Sequence, residues 1–287
     1  MKNTLKYLAV LLPACPRFIC QPEYPDSTRL VLIGIKRGRS KTTHQSHKQT
    51  MRNNYYIFLL VILLSGQVND KNQIALSSNY LDDIKTELKK EWPKNRTINL
   101  VFHGHSVPAG YFKTPVVNTF ESYPFQLLKK LKALYPYAVI NIINTSIGGE
   151  NSISGEKRFE SDVLVHKPDV LFIDYALNDR SIGLDKSRVA WETMIRKALD
   201  RGIKVILLTP SPDQSVNILE SNNDLEKHSV QIRTLAKKFG VGLVDSYGVF
   251  RQIASSGDTI SNYMSQVNHP NEKGNSLIAD EIMKYFK

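Results

Sequence analysis

Cysteine is nearly absent from this 287-residue chain: Cys15 and Cys20 are the only two. Everything after residue 20 therefore has no disulfide framework, no thiolate metal site and no cysteine nucleophile. It is also compatible with an oxidising compartment. Long apolar runs are missing too. The run Tyr55–Leu64 falls short of the roughly 20 residues that a membrane-spanning helix needs. There are no internal repeats or low-complexity tracts, and no glycine-rich phosphate loop follows the first strand-like segment, which argues against a flavodoxin-like nucleotide binder. Acidic residues are scarce at the N-terminus. Residues 1–69 hold 10 Lys/Arg against only Glu23 and Asp26, leaving 28 basic and 25 acidic residues for the rest. Most of the net +11 thus sits in that stretch. The remainder is only mildly basic, so no nucleic-acid partner is expected.

What is present is ordinary for a folded domain, with 41% hydrophobic and 23% charged residues. Residues 51–69 run from Met51 and Arg52 through Tyr55–Leu64 to small and polar residues, the order of a secretory signal peptide or N-terminal anchor. Met51 is the expected start, with residues 1–50 an extension without structure of its own. Two other readings are a lipoprotein signal over 8–15 with Cys15 lipidated, and a core helix over Tyr55–Leu64. A linker and leading helix are expected over 70–94 and the main folded domain over 95–287. The location that follows is secreted or periplasmic, with the membrane touched only through the N-terminal signal or anchor.

From about residue 80, short apolar runs alternate with amphipathic stretches. Five runs read as buried strands: 98–103, 138–144, 169–175, 204–210 and 241–246. Helices are expected over 79–91, 122–134 (stripe Phe125, Leu128, Leu131, Leu134), near 157–166, over 185–201 (stripe Val189, Met194, Ile195, Leu199), and over 223–238 and 271–285. The alternation predicts an α/β fold, a three-layer α/β/α sandwich on a five-stranded parallel sheet. The chemistry of such sheets lies beyond the C-terminal strand ends.

Polar clusters fall at those ends: F-H-G-H-S-V-P-A-G-Y (102–111), N-T-S-I-G-G-E-N-S (144–152) and Y-A-L-N-D-R (175–180). A fourth, Q-V-N-H-P-N-E-K-G (266–274), precedes the last helix. Over about residues 97–285 these blocks resemble the SGNH (GDSL-type) hydrolase family. The resemblance implies Ser106 as nucleophile and His269 as its base. It implies an oxyanion hole from the backbone N–H groups of Ser106 and Gly149 and the side-chain amide of Asn178. A serine hydroxyl needs a neighbouring base to become a nucleophile, and histidine titrates in the right range. The sequence departs from the family at His105 and Gln266, where the family has Asp, and at Ala176, where it has Gly. Gln266 carries no charge, so a Ser–His dyad oriented by a carbonyl at or near Gln266 is expected. His105, Glu150 and Arg180 are expected to bind substrate. His103 and His105 lack the further ligands that a metal site needs, and no cofactor is implied.

The activity implied is hydrolysis of O-acyl esters, with a lean toward small acyl groups on saccharides, by a monomer. Two other readings stand beside it: a lipid or thioester hydrolase, and a non-catalytic carbohydrate-binding relative.

Overall fold

Five parallel strands form the centre of the computed structural model, which describes residues 73–287. The expected extension, signal or anchor segment and Cys15 lie outside the described residues. The strands are β1 (Thr97–Gly104), β2 (Val139–Asn144), β3 (Val170–Asp174), β4 (Lys204–Leu208) and β5 (Gly242–Val244), in the order β2-β1-β3-β4-β5. All four pairings are parallel.

Alternation of side chains along each strand divides the core in two. On one face, Ile98, Leu100 and Phe102 of β1 join Val170 and Phe172 of β3 and Ile206 and Leu208 of β4. These pack under α1 (Asp82–Leu88), α3 (Tyr123–Leu134), α8 (Ser246–Ser255) and α9 (Glu272–Met283). On the other face, Val101, Leu171, Ile173, Val205 and Leu207 pack under α5 (Phe159–Asp162), α6 (Leu184–Leu199) and α7 (Asp224–Phe239). Phe102 and Phe172 share one register position and stack at 4.3 Å. Burying each such ring contributes about 1.5–3 kcal/mol.

The sandwich is the one expected, with local differences. β2 pairs only with β1, so it is an edge strand and not a buried one; Val139 is 46% exposed. The segment near 157–166 is broken into α4 (Ser152–Lys157), α5 and a 3-10 turn (Leu164–His166) capped by Lys167. Within α4, a Cβ at Gly155 would collide with the Tyr175 ring, so glycine sets how closely that helix approaches β3. Leu134 ends α3 and is exposed, and Val189 of α6 faces solvent because the buried stripe runs through Ala190, Trp191, Met194 and Ala198. The strand expected over 241–246 stops at Val244. Asp245 instead caps α8, accepting from the Gly248 N–H at 3.2 Å.

The order of strands reverses between β1 and β3, and in such sheets the crevice beyond the C-terminal strand ends at that point is where ligands bind. The polar clusters sit there.

Candidate active site

Gly104 ends β1 where only a hydrogen fits. A Cβ there would collide with the Asp174 carbonyl at the end of β3. The chain then turns into the four-residue helix α2 (Ser106–Ala109), which ends at Gly110 with φ +92°. Ser106 opens that helix and is 7% exposed.

His269 arrives from the other side of the crevice, on the loop before α9. Its carbonyl accepts from the Ser265 N–H (2.9 Å), and Pro270 bridges Met264. Asn271 caps α9 by accepting from the Gly274 N–H at 3.1 Å. The imidazole Nε2 lies 2.9 Å from Ser106 Oγ. Burial holds the His269 pKa below its usual 6.5, so the ring is neutral and able to accept a proton near pH 7.

The carbonyl expected near Gln266 comes from elsewhere. Phe112 O lies 3.1 Å from His269 Nδ1, while the Gln266 main-chain carbonyl accepts from Gln214 Nε2 at 3.1 Å. The Gln266 side chain is close to the ring, but its Oε1 accepts from the Thr114 N–H (3.0 Å), which leaves the amide nitrogen 2.7 Å from Nδ1. An NH2 group can donate only to an unprotonated Nδ1, whereas the Phe112 carbonyl can accept only from a protonated one. The two neighbours thus favour opposite tautomers. Only the Phe112 arrangement leaves Nε2 free to take the serine proton.

The loop after β2 lies against the nucleophile turn. Thr145 N–H donates to Phe102 O (2.9 Å) and Ile147 N–H to Gly104 O (3.1 Å), extending the β1–β2 pairing past its end. Asn144 Nδ2 donates to Pro108 O at 2.6 Å. This pairing carries Gly149 to the crevice at φ +82°, a conformation that favours glycine. Its N–H meets no acceptor among the described residues. Asn178 reaches the same loop from the end of β3, with Nδ2 donating to Glu150 O at 2.8 Å, and an amide nitrogen carries a second hydrogen. Ser106, His269, Gly149 and Asn178 therefore come together at one end of the sheet.

The three residues expected to meet substrate are placed differently. Glu150 is held by Arg158, with Nη2 to Oε2 at 2.6 Å, and Arg158 also reaches the Tyr175 hydroxyl. Arg180 is paired with Asp213 at 2.6 Å. His105 is 0% exposed and lies beneath Ser106, not on the open crevice. Single letters cannot reveal such pairings, because they are made only once the loops have folded against each other.

Two residues that the sequence reading missed also shape the site. Asp179 is fully buried and accepts from Ser152 N–H (2.8 Å) and Trp191 Nε1 (2.7 Å), tying the loop after β3 to α4 and α6. Tyr111 stands 5.9 Å, ring to ring, from His269 and packs against Gly148. Their positions in the polar blocks were the only available signal. Among the described residues, no group of three or more His, Cys, Asp or Glu is placed to hold a metal ion.

The model of the GDSL-like lipase/acylhydrolase family matches residues 102–277. An uncharacterized lipoprotein of Bacillus subtilis is 35% identical over 91 residues, 29% of this chain and 35% of that protein. An acetylxylan esterase of Geobacillus stearothermophilus is 22% identical over 168 residues, 54% of this chain and 75% of that enzyme. Among solved structures, a two-domain esterase active on acetylated mannans aligns with TM-score 0.61 and 21% identity, covering 77% of this chain and 56% of that one. A variant of the Geobacillus enzyme aligns with TM-score 0.57 and 19% identity, covering 66% and 94%. The chain thus spans about a third of the Bacillus relative and just over half of the two-domain esterase.

Proposed function

The chain belongs to the GDSL-like lipase/acylhydrolase family, and on that footing we propose that it is a serine esterase acting outside the cytoplasm on O-acyl esters of saccharides. The observation that carries this reading is the 2.9 Å contact between Ser106 Oγ and His269 Nε2, with the Phe112 carbonyl 3.1 Å from Nδ1.

In the proposed reaction, Nδ1–H donates to Phe112 O and Nε2 accepts the serine proton as Oγ attacks the acyl carbon. The carbonyl oxygen becomes an oxyanion, met by the N–H groups of Ser106 and Gly149 and the second amide hydrogen of Asn178. Each such donor contributes about 3–4 kcal/mol where charge develops. The protonated imidazole then gives its proton to the leaving alcohol. Water, deprotonated by His269, attacks the acyl-serine; the acid is released as the imidazolium returns that proton to Ser106 Oγ. Nothing in this sequence needs a cofactor.

The saccharide assignment is supported by the relatives, one named an acetylxylan esterase and another active on acetylated mannans. Action outside the cytoplasm is supported by the signal-like order of residues 51–66 and by a relative named a lipoprotein. Hydrolysis of nitrophenyl esters of increasing chain length tests the proposal. Wild type should favour the acetate, and Ser106→Ala and His269→Ala should each lose about 10³-fold or more in kcat. A preference for long chains would move the substrate to lipids. Equal rates for wild type and Ser106→Ala would overturn the mechanism, and no turnover by wild type would favour a binding role.

A further inference from the structure

The loop that carries His269 brings no carboxylate to Nδ1, yet a buried carboxylate stands on the opposite side of the nucleophile. Asp174, at the end of β3, is 4% exposed, and His105 is fully buried beside it. His105 Nε2 and Asp174 Oδ1 face each other at 3.4 Å. Neither atom makes a hydrogen bond among the described residues, with the other or with any third group. The other carboxylate oxygen, Oδ2, accepts from the Tyr123 hydroxyl at 3.1 Å.

The tautomer of His105 follows from its neighbours. The Val107 N–H donates to Nδ1 at 3.3 Å, so Nδ1 carries a lone pair and the ring proton sits on Nε2, on the side of Asp174. The same Nδ1 lies 3.4 Å from Ser106 Oγ. The nucleophile therefore stands between two imidazoles, and the carboxylate is behind the one that is not its close partner. Two buried polar atoms left without a hydrogen bond are costly for a fold to keep unless their placement serves a purpose.

We propose that Asp174, behind His105, is the acid of this hydrolase: the pair lies against Ser106 Oγ on the side away from His269, and its negative charge stabilises the imidazolium that forms on His269 when the serine proton is transferred. This rests on the esterase reading. Asp174 and His105 are positioning residues in it, and His269 remains the base. The step conserves protons, since the serine proton moves to His269 Nε2 and none is taken up by Asp174, as with the carboxylate of a Ser-His-Asp triad. The ionisable groups around His105 are Asp174 from β3, Tyr123 from α3 through Asp174, Asp179 after β3, and His269 across the nucleophile.

The test is Asp174→Asn, which keeps an acceptor for Tyr123 and removes the charge. Expected is a fall in kcat of about 10- to 100-fold with KM little changed. The acid limb of the pH–rate profile should move to lower pH, because the imidazolium has lost a stabilising charge. Asp174→Glu should restore part of the rate. A purely structural role would lower the melting temperature without moving that limb. His105→Gln keeps an acceptor for the Val107 N–H but breaks the link, and gives the same readout should Asp174→Asn fail to fold. A folded Asp174→Asn protein with wild-type kcat and pH profile would overturn the inference. If Ser106→Ala hydrolysed like wild type, the esterase reading itself would fall. An inactive Ser106→Ala beside a wild-type-like Asp174→Asn would sink only the role of Asp174.

Discussion

At the residue scale the account turns on which nitrogen of His269 carries the proton. Burial lowers its pKa below 6.5. A base with a lowered pKa stays neutral to lower pH, so the acid limb of kcat/KM should fall below pH 6.5, and a pH–rate profile with a limb above that value would contradict the assignment. Gln266→Ala should lose less than about tenfold in kcat, because the Phe112 carbonyl continues to orient the ring. Gln266→Asp should act in the opposite sense to burial. A carboxylate at Nδ1 stabilises the charged ring and should raise the acid limb by about 1–3 pH units. The missing acid was legible in the sequence as Gln266 in place of Asp. Its replacement was not, since a main-chain carbonyl has no letter of its own, and Phe112 reaches His269 across 157 residues. His105 shows the same limit. Its departure from the family's Asp was visible, but its burial against Asp174 depends on how closely β1 and β3 approach at Gly104.

At the scale of elements, the site residues lie on the loops and turns that follow strands or precede helices, and the element boundaries were largely readable. The strand cores stood out as runs of β-branched and aliphatic residues, and α3, α6, α7 and α9 as amphipathic periods. α8 was hidden because the apolar run of 241–246 continued through its cap, Asp245. The segment 157–166 does not form one helix: α4 ends at Lys157 and a 3-10 turn is capped by Lys167, while Gly155 within α4 answers to packing against Tyr175, a tertiary demand. His269 depends on α9 for its position. Asn271 ties that helix start to the preceding loop, with Nδ2 donating to Asn262 O at 2.9 Å while Oδ1 caps Gly274. Asn271→Ala should cost about 1 kcal/mol and lower the melting temperature by about 2–4 °C for a domain of this size. Calorimetry checks the first effect. A drop in kcat beyond the loss of folded protein would show that the loop also positions the base.

At the scale of the molecule, the sandwich buries histidines that its unfolded chain exposes. Burial, reinforced by Arg158, pushes the His103 pKa down to about 3, and burial lowers His228 to about 4. Both are neutral when folded, whereas the unfolded chain protonates them near pH 6.5. Their contribution to stability is thus fully present above pH 6.5 and is lost as pH falls toward about 4 for His228 and about 3 for His103. Each histidine removes about 1.4 kcal/mol per pH unit in that range. Urea unfolding at pH 7 and pH 5 should show a lower midpoint at pH 5, and equal midpoints would contradict the burial described. The claim on which the whole account depends is that the sheet delivers one activated serine to His269. Reaction with a fluorophosphonate probe followed by peptide mass mapping tests it most directly. The predicted result is a single adduct on the peptide containing Ser106, formed far more slowly by His269→Ala. An adduct at another residue, or none from protein that still hydrolyses esters, would contradict it.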